Sequence, residues 1–318
     1  MRSFANITNN WALIEVLFAL ENANVLTVLS RSPQPMLITE IADACSVSAP
    51  ETEAMLQFLC VSFPDFIDTD DRNRYVMSEV YTAEHFTNIF NFARAYKPVL
   101  HAAKDVLVQE TDLPQRDVTS LGISSQYYTQ RFTHILIDLI RRHAAIDQIV
   151  DLGCGNGHLT HTLSQSFKLP VAGVDVAVTG MSQNEAVTFI DGSLEKPKEW
   201  LPEIKGSNPI FVSCFAWHEI LIHGEEYFID VLGQYKKLFP GRTLLMVEFD
   251  AVPFNVLREQ ERSVIDGAAL YQMVHPLTQQ GLPRSRTEWR TLLHKAEVKI
   301  TGEYDTTVSS VIYEIVLT

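Results

Sequence analysis

The 318-residue sequence predicts an α/β protein in which residues 121–318 form a mostly parallel sheet wrapped by helices, behind a mainly helical segment, residues 1–120. Two observations lead there. Short apolar runs of strand type (Gln148–Leu152, Val171–Val176, Val187–Ile190, Ile210–Phe215, Thr243–Phe249) alternate with helix-like stretches, the pattern of βα units. The first run ends in Asp151-Leu152-Gly153-Cys154-Gly155-Asn156-Gly157. Three glycines on alternate positions let the backbone turn tightly out of a strand and approach a ligand closely, and the following helix offers its first amides.

Taken in order, residues 10–30 place Trp11, Leu13, Ile14, Val16, Leu17, Phe18, Leu20, Val25, Leu26 and Leu29 around most of a helix surface, which predicts burial against the chain's own core or a second subunit. Next, Ile38–Cys45 and a helix opening at Ala49-Pro50-Glu51 precede two short strands, Phe66–Asp68 and Arg74–Met77, about the turn-rich Thr69-Asp70-Asp71-Arg72-Asn73. Two helices and a hairpin make a winged-helix pattern. The second helix carries Glu51 and Glu53 and no Lys or Arg, so this pattern is not a DNA reader. Residues 86–108 read as another helix and Asp112–Asp117 as a loop, putting the domain boundary near 120. Ser124-Ser125 is expected to cap a helix through Tyr127, Phe132, Leu136 and Ile140. At the C-terminus, Val298–Glu303 and Val311–Leu317 read as an antiparallel closing pair.

Composition excludes several classes. At 46% hydrophobic and 20% charged the chain reads as a soluble globular protein, with no transmembrane run and no secretory signal, hence a cytoplasmic default and no membrane partner. A net charge of −14 opposes nucleic acid as a partner. The four cysteines show no C-x-x-C spacing and read as reduced thiols rather than disulfides or structural zinc.

The acid that ends the second strand, Asp175, lies 24 positions after Asp151 and suits two ribose hydroxyls, while the glycine spacing is G-x-G-x-G rather than the dinucleotide G-x-G-x-x-G. On Val150–Gly157, Asp175 and the third strand end Thr188-Phe189-Ile190-Asp191-Gly192-Ser193, residues 121–318 resemble the class I methyltransferases that bind S-adenosylmethionine. The resemblance implies a Rossmann-like seven-stranded sheet, S-adenosyl-L-methionine as cofactor, and Asp151, Gly153, Gly155, Gly157, Asp175, Asp191 and Phe215 among its contacts.

The fourth strand ends in Phe215-Ala216-Trp217-His218-Glu219, and a later helix reads Thr287-Glu288-Trp289-Arg290-Thr291-Leu292-Leu293. Both resemble the small-molecule O-methyltransferases that carry an N-terminal winged-helix dimerisation domain, which implies a homodimer, a small-molecule substrate and His218 as catalytic base, with Glu219 standing where that family has Asp. The segment Tyr271-Gln272-Met273-Val274-His275-Pro276 resembles instead the subgroup that methylates the carbon beside the carbonyl of α-keto acids. There His218 and His275 would be ligands of iron(II) or zinc, and the metal would acidify the adjacent C–H. Glu248 and Asp250 are candidate third ligands, unranked. His223, five residues after His218, falls on another helix face; Tyr127 and Tyr128 are candidates for cofactor or substrate contact, or core. His158 and His161 read as surface residues. A protein that retains S-adenosylmethionine without transferring its methyl, a cyclase or a binder, is a further alternative.

Overall fold

The computed structural model describes residues 4–318 apart from 71, 73, 79–82, 109–111, 144, 179–180, 258, 260–261 and 307–308, with backbone alone for 4–9, 83–89 and 262–267. Asp71 and Asn73 of the expected turn lie outside the described residues. The chain divides into two compact units, Met1–Asn91 and Phe92–Thr318.

The first unit contains α1 (Phe4–Asn22), α2 (Val25–Arg31), β1 (Met36–Leu37), α3 (Ile38–Cys45), α4 (Ala49–Ser62), β2 (Ile67–Thr69) and β3 (Arg74–Met77). The apolar N-terminal stretch is two helices rather than one, parted where Asn24 adopts a left-handed φ of 62°. Val25, Leu26 and Leu29 pack into the core of this unit with Ile41, Leu56, Leu59 and Phe66, whereas Trp11 and Ile14 are exposed. β3 pairs antiparallel with both β1 and β2.

α5 (Ala83–Leu107) spans the division between the two units. The Asp112–Asp117 loop belongs to the second unit by its bonds: the Asp117 N–H donates to the Ala95 carbonyl at 3.1 Å, and Arg116 reaches Glu219.

The second unit continues with α6 (Val118–Gln130), α7 (Thr133–Arg141), β4 (Gln148–Leu152), α8 (His158–Ser166), β5 (Val171–Asp175), β6 (Val187–Asp191), α9 (Pro197–Trp200), β7 (Pro209–Cys214), α10 (Trp217–Ile220), α11 (Glu225–Leu238), β8 (Thr243–Phe249), α12 (Phe254–Leu257), α13 (Arg262–Val274), α14 (Arg286–Lys295), β9 (Lys299–Asp305) and β10 (Ser310–Val316). The single helix expected from Ser124 to Ile140 is two. Asp117 is the real cap, its carboxylate accepting the Thr119 and Ser120 N–H groups, and the chain breaks at Arg131–Phe132.

The seven strands run in the order β6-β5-β4-β7-β8-β10-β9, the first five parallel and the last two antiparallel additions. Helices cover both faces, so the central strands are apolar throughout: β4 is buried at all five positions. One cluster packs Trp200, Trp217, Phe228, Tyr235 and Trp289 on one face, and another packs Phe132, Leu136, Ile140 and Leu163 on the other. The chain moves outward from β4 to β6 and then returns to β7 on the opposite side. That reversal opens a crevice at the carboxyl ends of β4 and β7, where open α/β sheets bind ligands. No single helix among the described residues is long and apolar enough to cross a membrane.

Candidate cofactor and catalytic site

The glycine loop leaves β4 in a conformation that only glycine adopts without strain: φ is 70° at Gly153, 54° at Gly155 and 76° at Gly157. Space adds a second constraint at two of them. A Cβ on Gly153 would stand 2.6 Å from the Ala216 Cβ, so the loops after β4 and β7 touch, and one on Gly157 would stand 2.6 Å from the Phe189 ring. Gly157 then caps α8, whose N-terminal amides open the crevice.

Asp175, at the end of β5, accepts the Gly155 N–H at 2.9 Å and the Ala177 N–H at 3.0 Å. Burial raises its pKa against those bonds. It therefore fixes the glycine loop while lying at the crevice. Asp151 plays an internal part. It is fully buried under α8, accepts the Thr160 hydroxyl at 2.7 Å, and is pushed up to about 7 by desolvation. Asp191 pairs in register with Asp175 at the end of β6 and is exposed. Phe215, just beyond β7, holds a left-handed φ of 56°, costly for a residue with a Cβ, and meets Phe132 edge to face. Gly153, Gly155, Gly157, Asp175, Asp191 and Phe215 lie at the carboxyl ends of β4, β5, β6 and β7, with Asp151 buried within β4.

His218, on the short α10, is buried, and its ring is fixed by an acid of a neighbouring strand. Glu248, wholly buried on β8, lies 2.9 Å from His218 Nδ1 through Oε2, while its Oε1 accepts the N–H groups of Trp217 at 2.7 Å and His218 at 3.2 Å. Glu219 meets the other ring nitrogen. Its Oε1 bonds Arg116 at 2.5 Å and lies 3.5 Å from His218 Nε2. Burial alone would depress the His218 pKa, but Glu248 and then Glu219 outweigh it and hold the pKa above the ordinary imidazole value. The signal that could have singled out Glu248 was an acid in an otherwise unbroken apolar strand, Leu244-Leu245-Met246-Val247-Glu248-Phe249.

His275 follows α13 and is completely buried. Its Nδ1–H donates to the Tyr271 carbonyl at 2.6 Å, so Nε2 carries the lone pair, and Nε2 has no partner. Desolvation, with His218 nearby, holds its pKa down to about 3, so the ring is neutral. The two imidazoles lie 5.3 Å apart between centroids at 60°. Two imidazoles sharing a metal at about 2.1 Å would have centroids roughly 4.5–5.3 Å apart, and outer partners on each Nδ1 are what such ligands need. In those respects the pair fits. Among the described residues, however, no group of three or more His, Cys, Asp or Glu side chains is placed to hold a metal ion.

The remaining candidates make local contacts. His223 is largely exposed, near Glu195. Tyr127 stacks under Arg131 and meets Tyr128 edge to face, and His161 meets Phe189. His158 contacts Gln130.

No family model and no curated protein matches the sequence. Solved structures do. Human N-acetylserotonin methyltransferase in complex with S-adenosylmethionine matches at a TM-score of 0.74 and 17% identity, covering 98% of this chain and 95% of that one. LepI in complex with S-adenosylmethionine matches at 0.70 and 13%, covering 99% and 88%. The mitomycin 7-O-methyltransferase MmcR matches at 0.68 and 14%, covering 98% and 96%. At these identities the similarity is one of fold: the chain has the Rossmann-like α/β architecture found in S-adenosylmethionine-dependent methyltransferases.

Proposed function

We propose that this chain is an S-adenosylmethionine-dependent methyltransferase acting on the hydroxyl of a small molecule, with His218 as the proton acceptor. The carrying observation is the buried His218–Glu248 pair beside a left-handed glycine loop, at the crevice where β4 and β7 part. S-adenosylmethionine, when bound, supplies an electrophilic sulfonium methyl. Gly153, Gly155 and Gly157 would let the backbone close on it, Asp175 would take its ribose hydroxyls, and Asp191 would lie against its adenine. His218 Nε2 would take the hydroxyl proton, and bound S-adenosylmethionine would give its methyl to the oxygen and remain as S-adenosylhomocysteine. Glu248 holds the ring by Nδ1 and stabilises the imidazolium that forms, while proximity of nucleophile and methyl supplies much of the acceleration.

A second reading is favoured by the bare Nε2 of His275. His218 and His275 would together hold iron(II) or zinc, which would withdraw charge from the carbonyl of an α-keto acid and favour methylation of the adjacent carbon. Both readings include a homodimer, supported by the exposed Trp11 and Ile14 of α1.

The test is product analysis with panels of hydroxylated small molecules and 2-oxo acids, coupled to elemental analysis of untagged protein. A methyl ether formed with S-adenosylhomocysteine by metal-free protein is expected. Bound iron or zinc lost in both His218→Ala and His275→Ala, with C-methylated product, establishes the second reading instead. Substrate conversion without S-adenosylhomocysteine overturns both.

A further inference from the structure

α6 stands over the glycine loop on a single stripe of its surface. Gly122, Gln126 and Gln130 are spaced four residues apart and so share one helix face. A Cβ on Gly122 would lie 4.0 Å from the Asn156 N, so the two backbones run close together. One turn on, Gln126 Oε1 accepts the Asn156 amide at 3.2 Å, and a further turn on, Gln130 Nε2 lies 3.2 Å from His158 Nε2. Asn156 and His158 flank Gly157, the hinge between the loop and α8.

Little apolar side-chain area of the helix is buried. Its fully buried residues are Ser120, Ser124 and Thr129, while Val118 and Tyr128 are exposed. Leu121, partly buried, adds apolar packing against Ala95, Tyr96 and Val99. An element with little buried apolar area opens at a low cost in free energy, whereas the sheet beneath it does not. Its entry is tied as well, through Arg116 to Glu219 beside His218.

We propose that α6 is a clasp over the cofactor crevice, with Gln126 and Gln130 as its latch on Asn156 and His158, and that the latch must release for S-adenosylmethionine to enter and S-adenosylhomocysteine to leave. The proposal rests on the cofactor reading above. A latch that closes free and loaded protein alike slows association and dissociation together and leaves affinity nearly unchanged. A residue that only supports the bound loop would alter dissociation and affinity instead.

The experiment is stopped-flow binding of S-adenosylhomocysteine to the full chain, wild type against Gln126→Ala, Gln130→Ala and the double variant, each checked by its melting temperature. The expected result is that both rates rise about three- to tenfold in the double variant, and less in each single one, while Kd stays within about twofold. Unchanged rates, or faster dissociation with a matching loss of affinity, overturn the clasp in whichever variants stay folded. Wild-type protein that fails to bind S-adenosylhomocysteine overturns the cofactor reading itself.

Discussion

Glu248 holds His218 by two different atoms, its Oε2 on the ring Nδ1 at 2.9 Å and its Oε1 on the His218 backbone N–H at 3.2 Å. One buried carboxylate thus sets both the position of α10 and the tautomer of the base, leaving Nε2 on the side of Glu219, whose Oε1 lies 3.5 Å away.

The first prediction follows from that division. Glu248→Gln lowers kcat by about 10²–10⁴ with KM changed little, because the ring loses its orienting charge. Glu219→Gln costs less, since Arg116 already occupies that carboxylate. Steady-state kinetics on the two variants checks the order. A larger loss at Glu219 would reassign the orienting role.

The pH dependence has a definite sign. His218 accepts a proton only when neutral, and Glu248 and Glu219 outweigh burial to hold its pKa above the ordinary imidazole value. The rate therefore rises with pH along a limb centred above about 6.5, and Glu248→Gln moves that limb to lower pH. A pH–kcat/KM profile of both proteins is the check, and a limb below 6 in the wild type contradicts the account.

His275, shifted the other way, makes a prediction about stability. Its folded pKa is depressed to about 3, so below pH about 6.5 the unfolded chain binds a proton that the folded chain refuses. Stability falls as pH falls from 6.5 toward 3, by about 1.4 kcal/mol per unit from this group. Chemical denaturation across that window, wild type minus His275→Gln, should show a difference that is flat above 6.5 and slopes below it.

At the loop, Gly157→Ala meets both a left-handed φ and the Phe189 ring at 2.6 Å. The expected result is at least a tenfold loss of S-adenosylhomocysteine affinity and a lower melting temperature. Gly155→Ala has open space at its Cβ and carries only the backbone strain, so it is the milder variant. Calorimetry with both variants tests the ranking.

Much of this was legible in the sequence because it is local. The glycine loop, the strand-end acids and the strand alternation each lie within a few residues, and the structure places them around one crevice. What was hidden depends on pairing across the fold. Glu248 reaches His218 across 30 residues and Arg116 reaches Glu219 across 103, separations that no spacing rule encodes. The helix through Tyr127 and Ile140 was misread as continuous because apolar spacing carries over the break at Arg131–Phe132, and Ser124-Ser125 resembles a cap although Asp117 is the one that bonds.

The most direct measurement is isothermal titration of S-adenosylhomocysteine into wild-type protein and Asp175→Ala. One molecule is expected to bind per chain, with an affinity at least tenfold weaker in the variant, because Asp175 fixes the glycine loop through Gly155. No binding to the wild type, or equal binding by a folded Asp175→Ala protein, contradicts that expectation.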